Sequence, residues 1–589
     1  MRIALVVTAL VAVVVTWPLA LDPGGSISGH PGNDVWNHIW GYWWVADELA
    51  HGRLPLRTDL QHFPQSSRLF FIDSFGAVLT LPLQWLAGPV AAMNVVVMGS
   101  FWAAGMAAWA LARHVRAELF GAGPDADRDA LVAAVAYATA PHLVAQAYNG
   151  ITETLFAFGL PLATLGVLRL LLRPTITNAL LAAGAMALCT LANWYYGLFA
   201  IVGSAILLVV LAATRRERIR WAALPKTLAL AAIVSAAAVA PVLAGFASTL
   251  DGPDAIVQRD PEFVWTSLVT HNITDVVSSF VPGKVYSPDL KALHGEELLI
   301  VTYLGWALLV LAGVGLVRMR RWRDRLPWVV WIGVFALLML GPYLYVNGAY
   351  VTVTDRRLPM PFLALFEVLP LFGRISHPFR FVMAVTLGLG VLASVGIGAL
   401  VQRAGANRAH AVRLAVLALV AAEALLVSPA PWPLPRSDAR LPDSVAILAA
   451  DPEPGAVLDL PISVPNLERA VYLYWQTGHG RPSPYALNEP LPGVLDRSHL
   501  ARALLVAEAG RLDHLPPMVG ELDLVVAGRA LARLGVRWVV MHAPLYPPER
   551  RDQTLILLRA ALGPETVTTA DDRYLWQLPT EADAVEPRG

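Results

Sequence analysis

The sequence has a single cysteine, Cys189, and lysine only at Lys226, Lys284 and Lys291. One cysteine excludes an internal disulfide framework, a cysteine-based zinc site and a CxxC redox pair. Charge is scarce as well: 15% of the 589 residues are Asp, Glu, Lys or Arg, against ~25% in an average soluble domain. Such a chain is neither disordered nor fibrous, and a soluble globular enzyme is a poor fit. Basic and acidic residues number 44 each, so no nucleic-acid partner is implied. HExxH, EF-hand and Walker A motifs are all missing.

What the chain has in excess is apolar: 56% of its residues are hydrophobic and the mean hydropathy is +0.55. A membrane-spanning helix needs roughly 20 mostly apolar residues. Eleven blocks approach that length: 3–21, 92–112, 130–147, 154–172, 177–193, 197–213, 224–246, 298–317, 327–346, 379–401 and 414–430. The stretch Phe75 to Leu86 is about half a span; it carries Pro82 and ends at Gly88-Pro89, so it reads as re-entrant or interfacial. Segment 3–21 lacks a small-x-small cleavage site and precedes many spans, which makes it an uncleaved first helix rather than a signal peptide.

Charge predicts the orientation. With the N-terminus inside, the cytoplasmic loops hold 19 basic and six acidic residues, whereas the opposite loops up to Arg380 hold 10 basic and 17 acidic. Short basic inner loops are the positive-inside pattern. The expected fold is therefore an α-helical polytopic membrane protein of about 11 transmembrane helices, in the plasma (inner) membrane, with a C-terminal extracytoplasmic (periplasmic) α/β domain. The transmembrane domain spans 1–430, with outer loops at 22–74, 247–297 and 347–378, and the outer domain spans 431–589. The run Pro429-Ala-Pro-Trp-Pro-Leu-Pro435 reads as a stiff linker. Beyond it, Ala456 to Leu460, Arg537 to Met541 and Arg573 to Leu578 pattern as strands. Leu467 to Gln476, Ser498 to Ala509 and Pro548 to Leu562 pattern as helices.

Short inner loops and bulky outer ones place the chemistry outside. The richest outer segment is His30-Pro-Gly-Asn-Asp34-Val-Trp36-Asn37-His38-Ile-Trp40-Gly-Tyr42-Trp43-Trp44. Asp34 follows a turn and opens a helix as its N-cap. His38 lies four residues on, on the same face. The tryptophans cover the other faces, which predicts a helix lying flat at the membrane interface. Further polar groups sit at outer span ends: Asp73, Glu153 in Tyr148-Asn-Gly-Ile-Thr-Glu153, Tyr195 in Asn193-Trp-Tyr-Tyr-Gly197, His294 and Glu296, and Arg374, His377 and Arg380. Their common side allows them to converge on one outward cavity. Arg374, His377 and Arg380 cluster beside a helix N-terminus, which favours an anion, and at membrane depth the obvious anion is a lipid phosphate. Glu423 is the one acid well inside a span and receives no role. Asp34, His38, Asp73, Glu153, His294 and Glu296 are candidate metal ligands; an oxygen-rich set suits a divalent cation such as magnesium, manganese or calcium. Thr477-Gly-His479-Gly-Arg481 reads as a glycine-stabilised turn.

These features resemble the GT-C superfamily of integral-membrane glycosyltransferases, and within it a group of large bacterial GT-C-like membrane proteins. The residues that carry the resemblance are Asp34 with its Trp-rich sequence, Tyr148-Asn-Gly150-Ile-Thr-Glu153 and Trp194-Tyr-Tyr-Gly197. Leu369-Pro370-Leu-Phe372-Gly-Arg-Ile-Ser-His377-Pro378-Phe-Arg380-Phe381, Val457-Leu-Asp-Leu-Pro461 and Gln476-Thr-Gly-His479-Gly-Arg-Pro482 complete the set. The resemblance implies a donor sugar on a polyprenyl phosphate, an acceptor hydroxyl on a glycan, lipid or protein, and catalysis by Asp34 on the outer membrane face. His38, Asp73, Glu153, Tyr195, His294, Glu296, Arg374, His377 and Arg380 are the expected substrate-binding residues. Many GT-C enzymes pair two acids in the first loop; residue 32 here is Gly. That favours an alternative, a non-catalytic membrane scaffold or assembly protein. A lipid or glycan transporter is a third reading, and it would show paired halves, which the sequence lacks.

Overall fold

The computed structural model describes residues 1–250, 252, 254–255, 261–282, 298–487, 493–510 and 523–579, without the side chains of residues 218 and 466. The chain forms two compact units. One comprises Met1–His30, Val78–Ala244 and Arg259–Ser437; the other comprises Pro31–Ala77, Gly245–Gln258 and Asp438–Gly589.

The first unit is a helical membrane bundle. Among the described residues, seven helical segments are long and apolar enough to cross a membrane, and three shorter apolar helices, Arg2–Val15, Ile176–Ala192 and Trp306–Arg318, accompany them. Each of the eleven apolar blocks contains a helix. The half-span is part of a longer feature: helix runs from Leu81 to Phe120 and is broken at Gly88, whose φ of 81° only glycine adopts readily, followed by Pro89. Block 130–147 is likewise split into Leu131–Ala138 and Pro141–Asn149.

Helix Val382–Ala404 runs through the middle and is buried along nearly its whole length. Its glycines explain how. A Cβ on Gly396 would overlap the carbonyl oxygen of Leu311, and one on Gly315 would overlap that of Leu392. The helices Trp306–Arg318 and Val382–Ala404 are therefore in backbone contact, as small residues permit between membrane helices. By contrast, Leu224–Ser248 buries almost none of its apolar length.

Block 298–317 differs from expectation. Residues 298–305 form no helix, Gly305 turns at φ 83°, and helix begins only at Trp306. Opening a helix at that depth leaves amide N–H groups that lipid cannot satisfy. Glu423 resolves this. Its carboxylate accepts from the N–H of Trp306 (2.7 Å) and of Ala307 (2.8 Å), and from the Tyr303 hydroxyl (2.6 Å). The intramembrane acid without an assigned role is a helix cap.

The second unit carries a four-stranded sheet in the order Val567–Thr568, Arg573–Gln577, Val536–His542, Ala456–Leu460. Ala456–Leu460 is parallel to Val536–His542, and Arg573–Gln577 is antiparallel to it. Helices Val471–His479, His499–Ala509 and Pro548–Leu562 match the patterned segments closely. The aromatic helix Val35–Ala50 also belongs here, which corrects the expectation of a helix flat on the membrane. Trp36, Trp40 and Trp44 are buried. Trp36 stacks on Tyr474 at 5.1 Å, and the Trp40 indole N–H donates to Gln476 Oε1 at 2.7 Å. An aromatic helix satisfies the same apolar demand by packing on helix Val471–His479 as it would by lying in head groups.

Candidate functional site

Each unit gathers its own set of the expected residues. In the first unit, helix Pro141–Asn149 ends on Gly150 in the left-handed conformation (φ 74°), and a 3-10 turn, Thr152–Leu155, presents Glu153. Asn193 is the single residue between helices Ile176–Ala192 and Trp194–Thr214. Its side chain caps the second helix, accepting from the Tyr196 N–H at 3.1 Å, and donates to the Glu153 carbonyl at 3.0 Å. That one amide fixes Tyr195 beside the Glu153 turn. From the other direction, the 3-10 turn Pro378–Phe381 delivers Arg380 at the start of the central helix.

Arg380 and Glu153 form a loose ion pair, Nη1 to Oε1 3.8 Å, with both side chains buried. The Arg380 guanidinium lies 4.7 Å from the centre of the Tyr195 ring, in cation–π geometry. The Tyr195 hydroxyl is 3.2 Å from His377 Nδ1, and the Ser376 hydroxyl is 2.7 Å from the same nitrogen. Asn272 anchors this strand of contacts by donating to the Ser376 carbonyl at 2.7 Å.

Arg380 is only 6% exposed, yet its side chain makes no hydrogen bond among the described residues, and its Nε is fully buried without a partner there. A guanidinium carries five N–H donors, and buried donors are nearly always satisfied. This group therefore has unused capacity for an anion. His142, which the sequence reading passed over, stands beside it. Its ring lies 5.8 Å from Phe379, Nδ1 is 3.3 Å from the Val301 carbonyl, and the buried Nε2 has no partner among the described residues. A histidine inside an apolar block was the available signal, because ionisable groups at membrane depth mark function. Arg374 is exposed, and its side chain forms no ion pair or hydrogen bond among the described residues.

In the second unit, Asp34 occupies the N-cap of helix Val35–Ala50, but its side chain does not bond the helix amides. Instead its Oδ1 accepts from Asn37 Nδ2 at 3.1 Å. This corrects the expected capping role and leaves the half-buried carboxylate tied to a side chain. His38 follows one turn later, buried, with Nδ1 3.9 Å from Asp73 Oδ2. Asp73 is fully buried and well held: it accepts from the Tyr42 hydroxyl at 2.9 Å and from the Gly76 N–H at 3.1 Å, which caps the helix Ser74–Leu79. His294 and Glu296 lie outside the described residues. Among the described residues no group of three or more His, Cys, Asp or Glu is placed to hold a metal ion, so the expected divalent cation finds no fitting donor set there.

Elsewhere in this unit the polar groups hold structure. His479 and Arg481 flank Gly480, and Arg481 donates to the carbonyls of Leu448 and Glu453 (both 2.8 Å). Burial lowers the His479 pKa to about 4. His542 links two strands. Its Nδ1 accepts from Arg573 Nε at 3.0 Å, which assigns the proton to Nε2, 2.8 Å from Asp459 Oδ1. Burial lowers its pKa, in keeping with a neutral ring. Glu508 accepts from the Tyr546 hydroxyl (2.7 Å) and the Ser463 N–H (2.9 Å), and burial raises its pKa to about 7.

No family model matches the sequence, and no curated protein matches it. Solved structures match the fold. An arabinofuranosyltransferase from mycobacteria, AftD, aligns with TM-score 0.55 at 16% identity, over 99% of this chain and 42% of that one. This chain thus spans under half of that protein. The Archaeoglobus fulgidus oligosaccharyltransferase aligns in its apo form with TM-score 0.51 at 12% identity, over 92% of this chain and 69% of that one. The same enzyme, tethered to an acceptor peptide containing the NVT sequon, gives TM-score 0.52 over the same shares. These are GT-C glycosyltransferases, and the chain has the GT-C fold.

Proposed function

We propose that this chain is a membrane glycosyltransferase that moves a sugar from a polyprenyl-phosphate donor to an acceptor hydroxyl on the outer face of the plasma membrane. The acceptor belongs to a glycan, a lipid or a protein. The observation that carries this reading is Arg380, a buried guanidinium with donors to spare at the end of a membrane helix. The leaving group of the reaction is a phosphate that acquires negative charge as the bond to the sugar breaks, and such charge needs preorganised donors. Arg380 supplies them, with the Tyr195 face and the His377 ring fixing the approach. The acceptor oxygen forms the new bond to the anomeric carbon, the bond to the phosphate oxygen breaks, and a carboxylate takes the hydroxyl proton. Asp34 is that base. A single displacement inverts the anomeric centre. No nucleotide enters the reaction, in keeping with a sequence that has no Walker A motif.

The test is transfer from synthetic polyprenyl-phosphate sugars by the full chain in vesicles. Arg380→Gln and Asp34→Asn should each lower the rate by ~10²-fold or more, the scale of removing one transition-state donor or the general base. Gly32 in place of a second acid favours the alternative, a scaffold that does no chemistry. For that alternative Asp34→Asn changes nothing, and no donor is consumed by the unaltered chain.

A further inference from the structure

A strongly basic surface lies in the first unit, where helix Trp194–Thr214 meets the turn Arg216–Arg218 and helix Trp306–Arg318 passes to helix Trp322–Met339. Residues 215–226 and 318–325 contain ten basic side chains and two acids, Glu217 and Asp324. Both acids are engaged: Asp324 pairs with Arg215, and Glu217 lies 3.9 Å from Arg323. Among the arginines that line the cavity there, this leaves Arg320, Arg321 and Arg325. All three are exposed, line an open cavity of about 480 Å³, and form no side-chain hydrogen bond or ion pair among the described residues.

Two further observations define what the cavity takes. Helix Trp322–Met339 begins at its wall, and no side chain caps the first amides, so backbone N–H groups add to the positive field. Trp322 lines the cavity and is 52% exposed, and Trp221, 43% exposed, donates its indole N–H to the Arg216 carbonyl at 3.0 Å in the adjoining turn. Exposed indoles at the ends of apolar helices mark the level of lipid head groups. Helix Leu224–Ser248, which follows the basic run 215–220 in the chain, is apolar and almost wholly exposed, a flank suited to acyl chains.

We propose that this cavity binds the headgroup of an anionic glycerophospholipid. The phosphate sits among Arg320, Arg321 and Arg325, the indoles rest at the glycerol level, and the chains follow Leu224–Ser248. A free phosphate would use the arginines but neither the indoles nor the apolar flank. The inference does not depend on the transferase reading.

The experiment is native mass spectrometry of the detergent-purified full chain with added cardiolipin, phosphatidylglycerol or phosphatidylethanolamine. The unaltered protein should retain either anionic lipid at least tenfold over phosphatidylethanolamine. Arg321→Gln with Arg325→Gln should erase that preference. Arg403→Gln with Arg408→Gln, which removes equal charge from another exposed loop, should leave it intact. Millimolar inorganic phosphate should not displace the lipid. The proposal is overturned if the unaltered chain shows no preference, if both double variants behave alike, or if phosphate alone empties the site.

Discussion

The membrane bundle buries arginine at two places along its central helix, and the two are built differently. Roughly 27 Å separates them, counting about 1.5 Å per residue from Arg380 to Gly398. At the Gly398 end, Asp129 takes two guanidiniums at once, Arg116 at 2.6 Å and Arg413 at 2.8 Å. Arg413 also reaches Asp125 at 2.8 Å, and Arg116 donates to the Ser394 carbonyl at 2.7 Å. Gly398 leaves the space; a Cβ there would lie 2.8 Å from Arg116. At the other end Arg380 has one carboxylate at 3.8 Å, one aromatic face and no hydrogen bond among the described residues. Arg116 and Arg380 each keep a buried Nε unpartnered among the described residues, so the contrast lies in the remaining donors. A charge network closed on itself holds helices together. An arginine held in place by weaker contacts is poised for something that arrives later.

Substitutions at the two ends should therefore part stability from activity. The largest effect is expected for Arg380→Gln: sugar transfer falls by ~10²-fold or more, ~2.7 kcal/mol of transition-state stabilisation, while the thermal midpoint in detergent falls less than in Asp129→Asn, because the 3.8 Å pair with Glu153 is looser than the Asp129 network. Asp129→Asn should do the reverse. Breaking a buried ion pair from one side costs ~3–5 kcal/mol, so yield and thermal midpoint drop while turnover per folded molecule survives. Equal loss of turnover per folded molecule in both variants would erase the contrast.

A smaller change is expected at His142, whose ring packs on Phe379 next to Arg380 and whose buried Nε2 has no partner among the described residues. His142→Phe keeps a flat ring against Phe379 and should lower transfer by about tenfold, with little loss of stability, as befits a group that assists rather than carries the phosphate. Glu508 provides a comparison with the second unit, where burial raises the carboxyl pKa to about 7. A carboxyl whose pKa is higher folded than unfolded stabilises below its unfolded pKa, and that contribution is lost as pH rises through about 7. Thermal midpoints between pH 5 and 8 should therefore fall less steeply in Glu508→Gln than in the unaltered chain. Parallel curves would assign the carboxyl an ordinary pKa.

Apolar blocks of membrane length are a local property, and so the helices were legible from the residues alone, as were the strands and helices of the C-terminal segment. What escaped was every feature set by a distant partner. The non-helical start of block 298–317 depends on Glu423, 117 residues away from the amide of Trp306 that it caps. Its hydropathy is that of an ordinary span. The aromatic helix has the composition of an interfacial one; only Tyr474 and Gln476, more than 400 residues on, make it a buried one. Within the candidate site, the motifs around Glu153, Tyr195 and Arg380 were visible as polar ends of spans. Their meeting was an inference from shared sidedness, and it is the capping Asn193 that joins two of them. His142 lies inside block 130–147, where hydropathy alone gives no sign of the neighbours that its ring meets.

Whether Arg380 holds a lipid phosphate is read most directly by binding, which needs no assumption about sugar or acceptor. Affinity for a sugar-free polyprenyl phosphate should be determined for the unaltered chain, Arg380→Gln and Asp129→Asn, all in detergent and folded. The expected result is a loss of tenfold or more in Arg380→Gln alone. Unchanged binding in that variant would contradict the account.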